Sequence, residues 1–129
     1  MLLVDTSVWV EIFRKNSLLS PGAAFDFDEV VTCLPVVQEV LQGFRQEDAY
    51  RRAREAMLSL PMVESPMDRS VFEHAADLYR LARRQGLTVR SSVDCLIASC
   101  AIRHDLTVLH RDRDFPVLSR VSALRERSA

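Results

Sequence analysis

Short apolar runs alternate along this chain with longer stretches in which apolar residues recur every three or four positions. Leu2-Leu3-Val4 is a run of the first kind, closed by Asp5, and predicts a buried strand. Val8, Trp9, Ile12 and Phe13 then fall at helical spacing, which makes Trp9 a core residue rather than a platform for base stacking. Pro21-Gly22 marks residues 17–28 as a loop or short helix. Val30 to Cys33 reads as a second strand, and Pro35 suits the first turn of a helix running to about Phe44. Glu47 to Leu58 predicts a polar, Arg-rich helix, and Met62 to Glu64 a short strand. A long helix follows from about Asp68 to Gln85, with Val71, Ala75, Leu78, Tyr79 and Ala82 on one face and Gly86 as its stop. Ser92 to His104 is a strongly apolar helix, Leu106 to Leu109 a third central strand and Phe115 to Arg120 a short helix. An edge strand is expected near Ala123–Arg125. Strands separated by helices imply an α/β fold: a central, mostly parallel sheet of four to five strands with helices on both faces.

Composition narrows the class. The 129 residues fit one domain, and at 48% hydrophobic and 27% charged the balance is that of an ordinary globular protein. No apolar run is long enough to span a bilayer. The first ten residues lack a basic leader and are interrupted by Asp5, so no secretory signal is expected and the reading is cytoplasmic, without a membrane. Three cysteines, Cys33, Cys95 and Cys100, have neither an even count nor a zinc-ligand spacing. They are expected to be buried thiols in a reducing compartment. A net charge of −1 does not announce a nucleic-acid binder. The basic residues are sixteen Arg and a single Lys, Lys15. That bias has two sources, base composition or a use for the bidentate guanidinium on phosphate.

Four acids are conspicuous by position. Asp5 ends the first strand, Glu39 lies on the helix after the second, Asp94 starts the apolar helix, and Asp112 follows the strand ending Val108-Leu109. In an open parallel sheet, sites gather at the carboxyl ends of strands. Each acid also has a structural reading. Asp5 can cap the first helix, Ser91-Ser92-Val93-Asp94 fits a capping box, Asp112 can sit in a turn, and Glu39 can be a solvated helix acid. Two details favour convergence. Apolar residues surround nearly the whole circumference of the helix that begins at Asp94, so a carboxylate there needs a partner or a cation. Glu39 lies about 60° beyond the edge of the stripe formed by Val36, Val37, Val40, Leu41 and Phe44, at a cleft rim rather than on the wet face. Two like charges about 4 Å apart cost about 4 kcal/mol at an effective dielectric near 20, against a total stability of roughly 5–15 kcal/mol. A divalent cation reverses that sign. An all-oxygen set without His or Cys indicates Mg²⁺, or Mn²⁺, over zinc.

At these residues the chain resembles a known family. Leu3-Val4-Asp5-Thr6-Ser7, Glu39 within Pro35-Val36-Val37-Gln38-Glu39, Arg90-Ser91-Ser92-Val93-Asp94-Cys95-Leu96-Ile97-Ala98, and His110-Arg111-Asp112-Arg113-Asp114-Phe115 occur in the order of PIN-domain ribonucleases. The similarity is greatest to VapC-type toxins of toxin–antitoxin pairs and covers essentially the whole chain. The resemblance implies a three-layer α/β/α fold and an acidic quartet, Asp5, Glu39, Asp94 and Asp112, that holds Mg²⁺. Asp114 is close enough to share the fourth role, and Thr6 or Ser7 lies beside the first acid. It also implies hydrolysis of RNA phosphodiester bonds, a cognate antitoxin and a homodimer. The charged segment Ser122-Ala123-Leu124-Arg125-Glu126-Arg127 departs from the family's usual final strand.

RNA drawn to a negative pocket needs flanking cations. Arg90, Arg111 and Arg113, with Arg14-Lys15 at the end of the first helix, are candidates to hold phosphates, although solvated helix ends explain them equally well. Helices 47–58 and 68–85 are expected to offer apolar grooves to the antitoxin. Two rival readings remain: a catalytically silent module of the same fold that binds RNA or protein, and a receiver-like phosphoryl-transfer domain. The second needs an acid pair after the first strand or a placed Lys, whereas Asp5 is followed here by Thr6-Ser7.

Overall fold

The computed structural model describes residues 1–14 and 25–129. The loop or helix expected over 17–28 therefore lies largely outside the described residues, as does Lys15. Among the described residues, five strands form one sheet: β1 (Leu2–Val4), β2 (Val30–Cys33), β3 (Met62–Val63), β4 (Thr107–His110) and β5 (Arg125–Ser128). Their order is β3-β2-β1-β4-β5, and every pairing is parallel. Among the described residues, six helices flank the sheet: α1 (Thr6–Phe13), α2 (Leu34–Gln42), α3 (Glu47–Leu58), α4 (Arg69–Arg84), α5 (Ser92–Arg103) and α6 (Asp114–Val121). A 3-10 turn at Phe27–Glu29 leads into β2. The α/β class, the parallel sheet and its strand count are as the apolar pattern implied.

Central position in the sheet follows apolar content. All three residues of β1 and all four of β2 are buried, as a strand covered on both faces requires. The outermost strand, β5, reads Arg-Glu-Arg-Ser and is largely exposed. The edge strand expected near Ala123–Arg125 is thus displaced toward the C-terminus. Leu124 is buried beneath it, while Arg125 to Ser128 pair with Thr107 to His110. A charged strand is tolerated at a sheet edge because its backbone supplies the pairing and its charges deter a further strand.

Helix ends obey local chemistry. The Asp5 and Asp68 side chains accept the amide hydrogens of Ser7 and Ser70, capping α1 and α4. Pro35 occupies the first turn of α2, where its missing N–H costs nothing. α4 ends where Gly86, at φ +73°, lets the amides of Gly86 and Leu87 return to the carbonyls of Arg83 and Ala82. α5 ends the same way through Asp105 and Leu106. That closure takes Leu106 out of β4 and starts the strand at Thr107. Trp9 is buried, donates from Nε1 to the Val4 carbonyl at 3.1 Å and packs edge-on against Phe25. It is a core residue. All three cysteines are free and buried. Among the described residues, no helix is long and apolar enough to cross a membrane.

Candidate active site

Asp5 follows β1 directly, and its amide donates to the Leu109 carbonyl at 2.9 Å, so the first acid is tied to the carboxyl end of β4. Its carboxylate is only 2% exposed. One oxygen, Oδ2, accepts from the Ser7 amide at 3.0 Å and the Ser7 hydroxyl at 2.5 Å. The other, Oδ1, is buried and has no hydrogen-bond partner. The capping reading of Asp5 is therefore correct but accounts for half of the carboxylate. Ser7 has a further task. Its Oγ accepts the Arg111 amide at 2.9 Å, which fastens the loop after β4 to the start of α1.

Asp94 lies in the first turn of α5, 4% exposed, and the proposed Ser91 capping box does not form: Ser91 makes no side-chain cap bond. Asp94 Oδ2 is a second buried oxygen without a partner. Burial, the adjoining Asp114 carboxyl and the charges of Asp5 and Asp112 push the Asp94 carboxyl up to about 9. Asp5 is also raised, chiefly by burial and further by Asp112. Glu39, half-buried on α2, is raised by burial and by the charges of Asp5 and Asp112. The Thr6 hydroxyl donates to Glu39 Oε1 at 2.9 Å, linking α1 to α2.

Asp112 and Asp114 lie around the start of α6. One carboxylate oxygen each of Asp94, Asp112 and Asp114 fall within 4.8 Å of one another. Their surroundings differ. Asp112 is half-buried, and its Oδ1 accepts the Asp114 amide at 2.9 Å. Asp114 is 2% exposed, and both its oxygens face backbone: Oδ1 and Oδ2 accept the Arg90 amide, each at 3.0 Å, and Oδ2 accepts the Ser91 amide at 3.0 Å. Asp114 thus holds the entry of α5, and with it Asp94, at the cluster. Of the four acids expected from the sequence, Asp94 and Asp112 share this tight group with Asp114, while Asp5 and Glu39 lie outside it and are tied to it by their electrostatic influence.

The arginines are arranged otherwise. Arg90, Arg111 and Arg113 have exposed side chains around the same loops. Arg90 and Arg111 enter the site through their backbone amides. The Arg111 guanidinium is directed to Glu11, 3.9 Å away, and Arg14 shares that acid at 2.8 Å. Glu11 was not singled out in the sequence, although its place one turn after Ser7 puts it on the same helical face. His110 and Glu126 were missed as well. His110 is 2% exposed, its Nδ1 accepts the Asp112 amide at 3.1 Å, and its Nε2 bonds Glu126 Oε2 at 2.5 Å.

Unpartnered buried oxygens on two acids fit a divalent cation, which would supply a missing partner and favour the ionised carboxylate. A family profile described as the PIN domain matches residues 2–121. VapC ribonuclease Mb1587 of Mycobacterium bovis and ribonuclease VapC11 of Mycobacterium tuberculosis are each 40% identical to this chain over 99% of its length and 98% of theirs. The chain belongs to the PIN-domain family, in its VapC ribonuclease group. Solved structures share the fold of this PIN domain. FitAcB from Neisseria gonorrhoeae superimposes with a TM-score of 0.75 at 20% identity, covering 98% of this chain and 96% of that one. VapC20 of Mycobacterium tuberculosis, described as a sarcin-ricin loop cleaving toxin, gives 0.70 at 19% identity over 97% and 99%. A VapBC-5 toxin–antitoxin structure from the same organism gives 0.72 at 21% over 99% and 98%.

Proposed function

We propose that this PIN domain is an endoribonuclease that hydrolyses RNA phosphodiester bonds with Mg²⁺, or Mn²⁺, and acts as the toxin of a pair neutralised by a cognate antitoxin. The observation that carries the reading is the pair of buried, unpartnered oxygens on Asp5 and Asp94, two acids from distant segments, with the charge of Asp5 acting on Asp94. Asp5 Oδ1 and Asp94 Oδ2 are the most direct ligands in this reading, with Asp112 and Glu39 completing the set directly or through water. When bound, a divalent cation makes water more acidic and offsets the charge that develops on the phosphate and the leaving oxygen.

The chain's own residues hold this arrangement. Ser7 holds Asp5 Oδ2 and leaves Oδ1 without a partner. Thr6 holds Glu39 Oε1, which leaves Oε2 for an ion or a water. Asp114 keeps Asp94 in register with Asp112. Arg90, Arg111 and Arg113 contact the phosphates on either side of the cut, with Arg111 exchanging Glu11 for phosphate when RNA arrives. The resemblance to VapC toxins supports the antitoxin and a homodimer. An apolar cavity of about 430 Å³ between α4 and α5, lined by Phe72, Tyr79 and Leu96 among others, offers surface for such contacts.

The decisive experiment incubates the protein with total cellular RNA, with Mg²⁺ or with chelator, and maps the new ends. Cleavage that needs Mg²⁺ and is lost in Asp5→Asn is the expected result. An Asp5→Asn protein that cuts as well as its parent refutes the reading.

A further inference from the structure

We infer that Glu126, on the edge strand β5, is a positioning residue for the acid cluster and acts through His110. The inference rests on the metal-dependent reading above and assigns a task to two residues outside the quartet.

His110 closes β4 and is almost fully buried, with its ring against Phe115 at 5.1 Å between centroids. Its Nδ1 accepts the Asp112 amide hydrogen at 3.1 Å. A nitrogen that accepts carries no hydrogen, so the ring hydrogen is on Nε2 and is donated to Glu126 Oε2 at 2.5 Å. Glu126 therefore fixes both the tautomer and the plane of the imidazole. Without that carboxylate the ring is free to move its hydrogen to Nδ1, which then opposes the Asp112 amide instead of accepting from it.

The consequence passes along the loop. The Asp112 amide is held by His110, and the Asp112 carboxylate accepts the Asp114 amide at 2.9 Å. The Asp114 carboxylate in turn accepts the amides of Arg90 and Ser91 at the entry of α5, the helix that bears Asp94. One run of hydrogen bonds thus joins the edge strand β5 to Asp112 and Asp114 and, through the backbone of Arg90 and Ser91, to the start of the helix that bears Asp94. It also explains the composition of β5. Arg125, Arg127 and Ser128 are exposed, whereas Glu126 is the half-buried member turned toward His110. Acids that orient a histidine or carboxylate at a metal site typically influence affinity 10–100-fold, although they never touch the ion.

The test is calorimetric titration of the full chain with Mn²⁺, with circular dichroism to confirm folding. Glu126→Ala is expected to weaken Mn²⁺ binding by about tenfold or more. Glu126→Gln keeps an acceptor for the Nε2 hydrogen and is expected to stay within about threefold of the parent. Arg127→Ala, on the same strand with an exposed side chain, is expected to bind as the parent does. Equal Mn²⁺ affinity in a folded Glu126→Ala protein and its parent overturns the inference. So does an equal loss in Arg127→Ala, which assigns the effect to the strand as a whole. Should Glu126→Ala not fold, Glu126→Leu decides, since it keeps the bulk of the side chain but offers no acceptor: weakening of about tenfold or more supports the proposal, and parent-like binding overturns it. Failure of the parent itself to bind Mn²⁺ is a different result and removes the metal-dependent reading, not the role of Glu126 in particular.

Discussion

Two acids of this protein follow directly on parallel strands and have opposite surroundings. Asp5, after β1, is buried with one oxygen unpartnered, and its carboxyl is raised by burial. Glu64, after β3, accepts from Arg103 Nε at 2.8 Å and His104 Nε2 at 3.1 Å, and its carboxyl is lowered by those partners. A place at the end of a strand is common to both. What distinguishes them is whether the protein supplies the opposite charge. Around Glu64 it does, with the Arg103 guanidinium and the His104 ring at the end of α5. Around Asp5 it supplies further acids, and in the proposed reading the opposite charge is left to a cation. The site is a region left electrostatically incomplete, and the Glu64 cluster is one that has been completed.

That contrast can be broken from the active-site side first. Asn at Asp94 or Asp5 is expected to lower RNA cleavage by more than about 100-fold, beyond what groups acting through a ligand cost. The same Asp94→Asn protein is expected to be more stable than its parent without metal at neutral pH, because the cost of keeping that buried carboxyl protonated is gone. Thermal unfolding in chelator reads this directly, and a less stable variant contradicts the incomplete-charge account.

Next comes Asp114, which belongs to the cluster yet has found partners in backbone amides. Asp114→Ala strips charged hydrogen bonds from the Arg90 and Ser91 amides and is expected to cost about 2–3 kcal/mol in denaturant unfolding. Cleavage should fall with it, as α5 loses its hold at the cluster.

A pH series sharpens the comparison without mutation. The folded-state carboxyls of Asp94, Asp5 and Glu39 are raised, so the folded chain retains protons that the unfolded chain releases. For Asp94 the window runs from the ordinary 3.8 to about 9. Across it the unfolded state binds fewer protons, and the stability of the metal-free protein falls as pH rises. Saturating Mg²⁺ is expected to flatten that fall, since a cation that binds only the folded state adds about 2.7 kcal/mol at 100 times its dissociation constant. Melting temperatures in chelator that climb with pH would count against the raised carboxyls. The smallest effect belongs to Glu64. Glu64→Gln weakens a pairing near the surface, with an expected change within about 1 kcal/mol and unaltered cleavage.

Much of this arrangement was legible in the residues, and the exceptions have identifiable causes. The apolar runs at 2–4 and 30–33 predicted the central strand β1 and its neighbour β2, because burial on both faces favours apolar residues. β5 was displaced in the reading because a polar edge strand carries no hydrophobic signal and is held by backbone pairing with β4. Asp5 and Asp94 were legible as acids in apolar settings. The bonds of Asp114 to the Arg90 and Ser91 amides were not, since they connect residues 24 and 23 positions apart and leave no periodic trace. His110 and Glu126 escaped for the same reason. Neither is unusual alone, and only adjacent strands give them a common purpose.

By itself, then, the order of residues determined the parallel α/β layering, the central strands and which carboxylates would be expensive to bury. Those follow from period, apolar content and the cost of desolvating charge, all of which are local properties. The folded chain alone decided which oxygens would be left without partners, and which acid would be spent on holding a helix in place. Such outcomes depend on hydrogen-bond directions across segments far apart in the chain, and no local pattern encodes a direction in space.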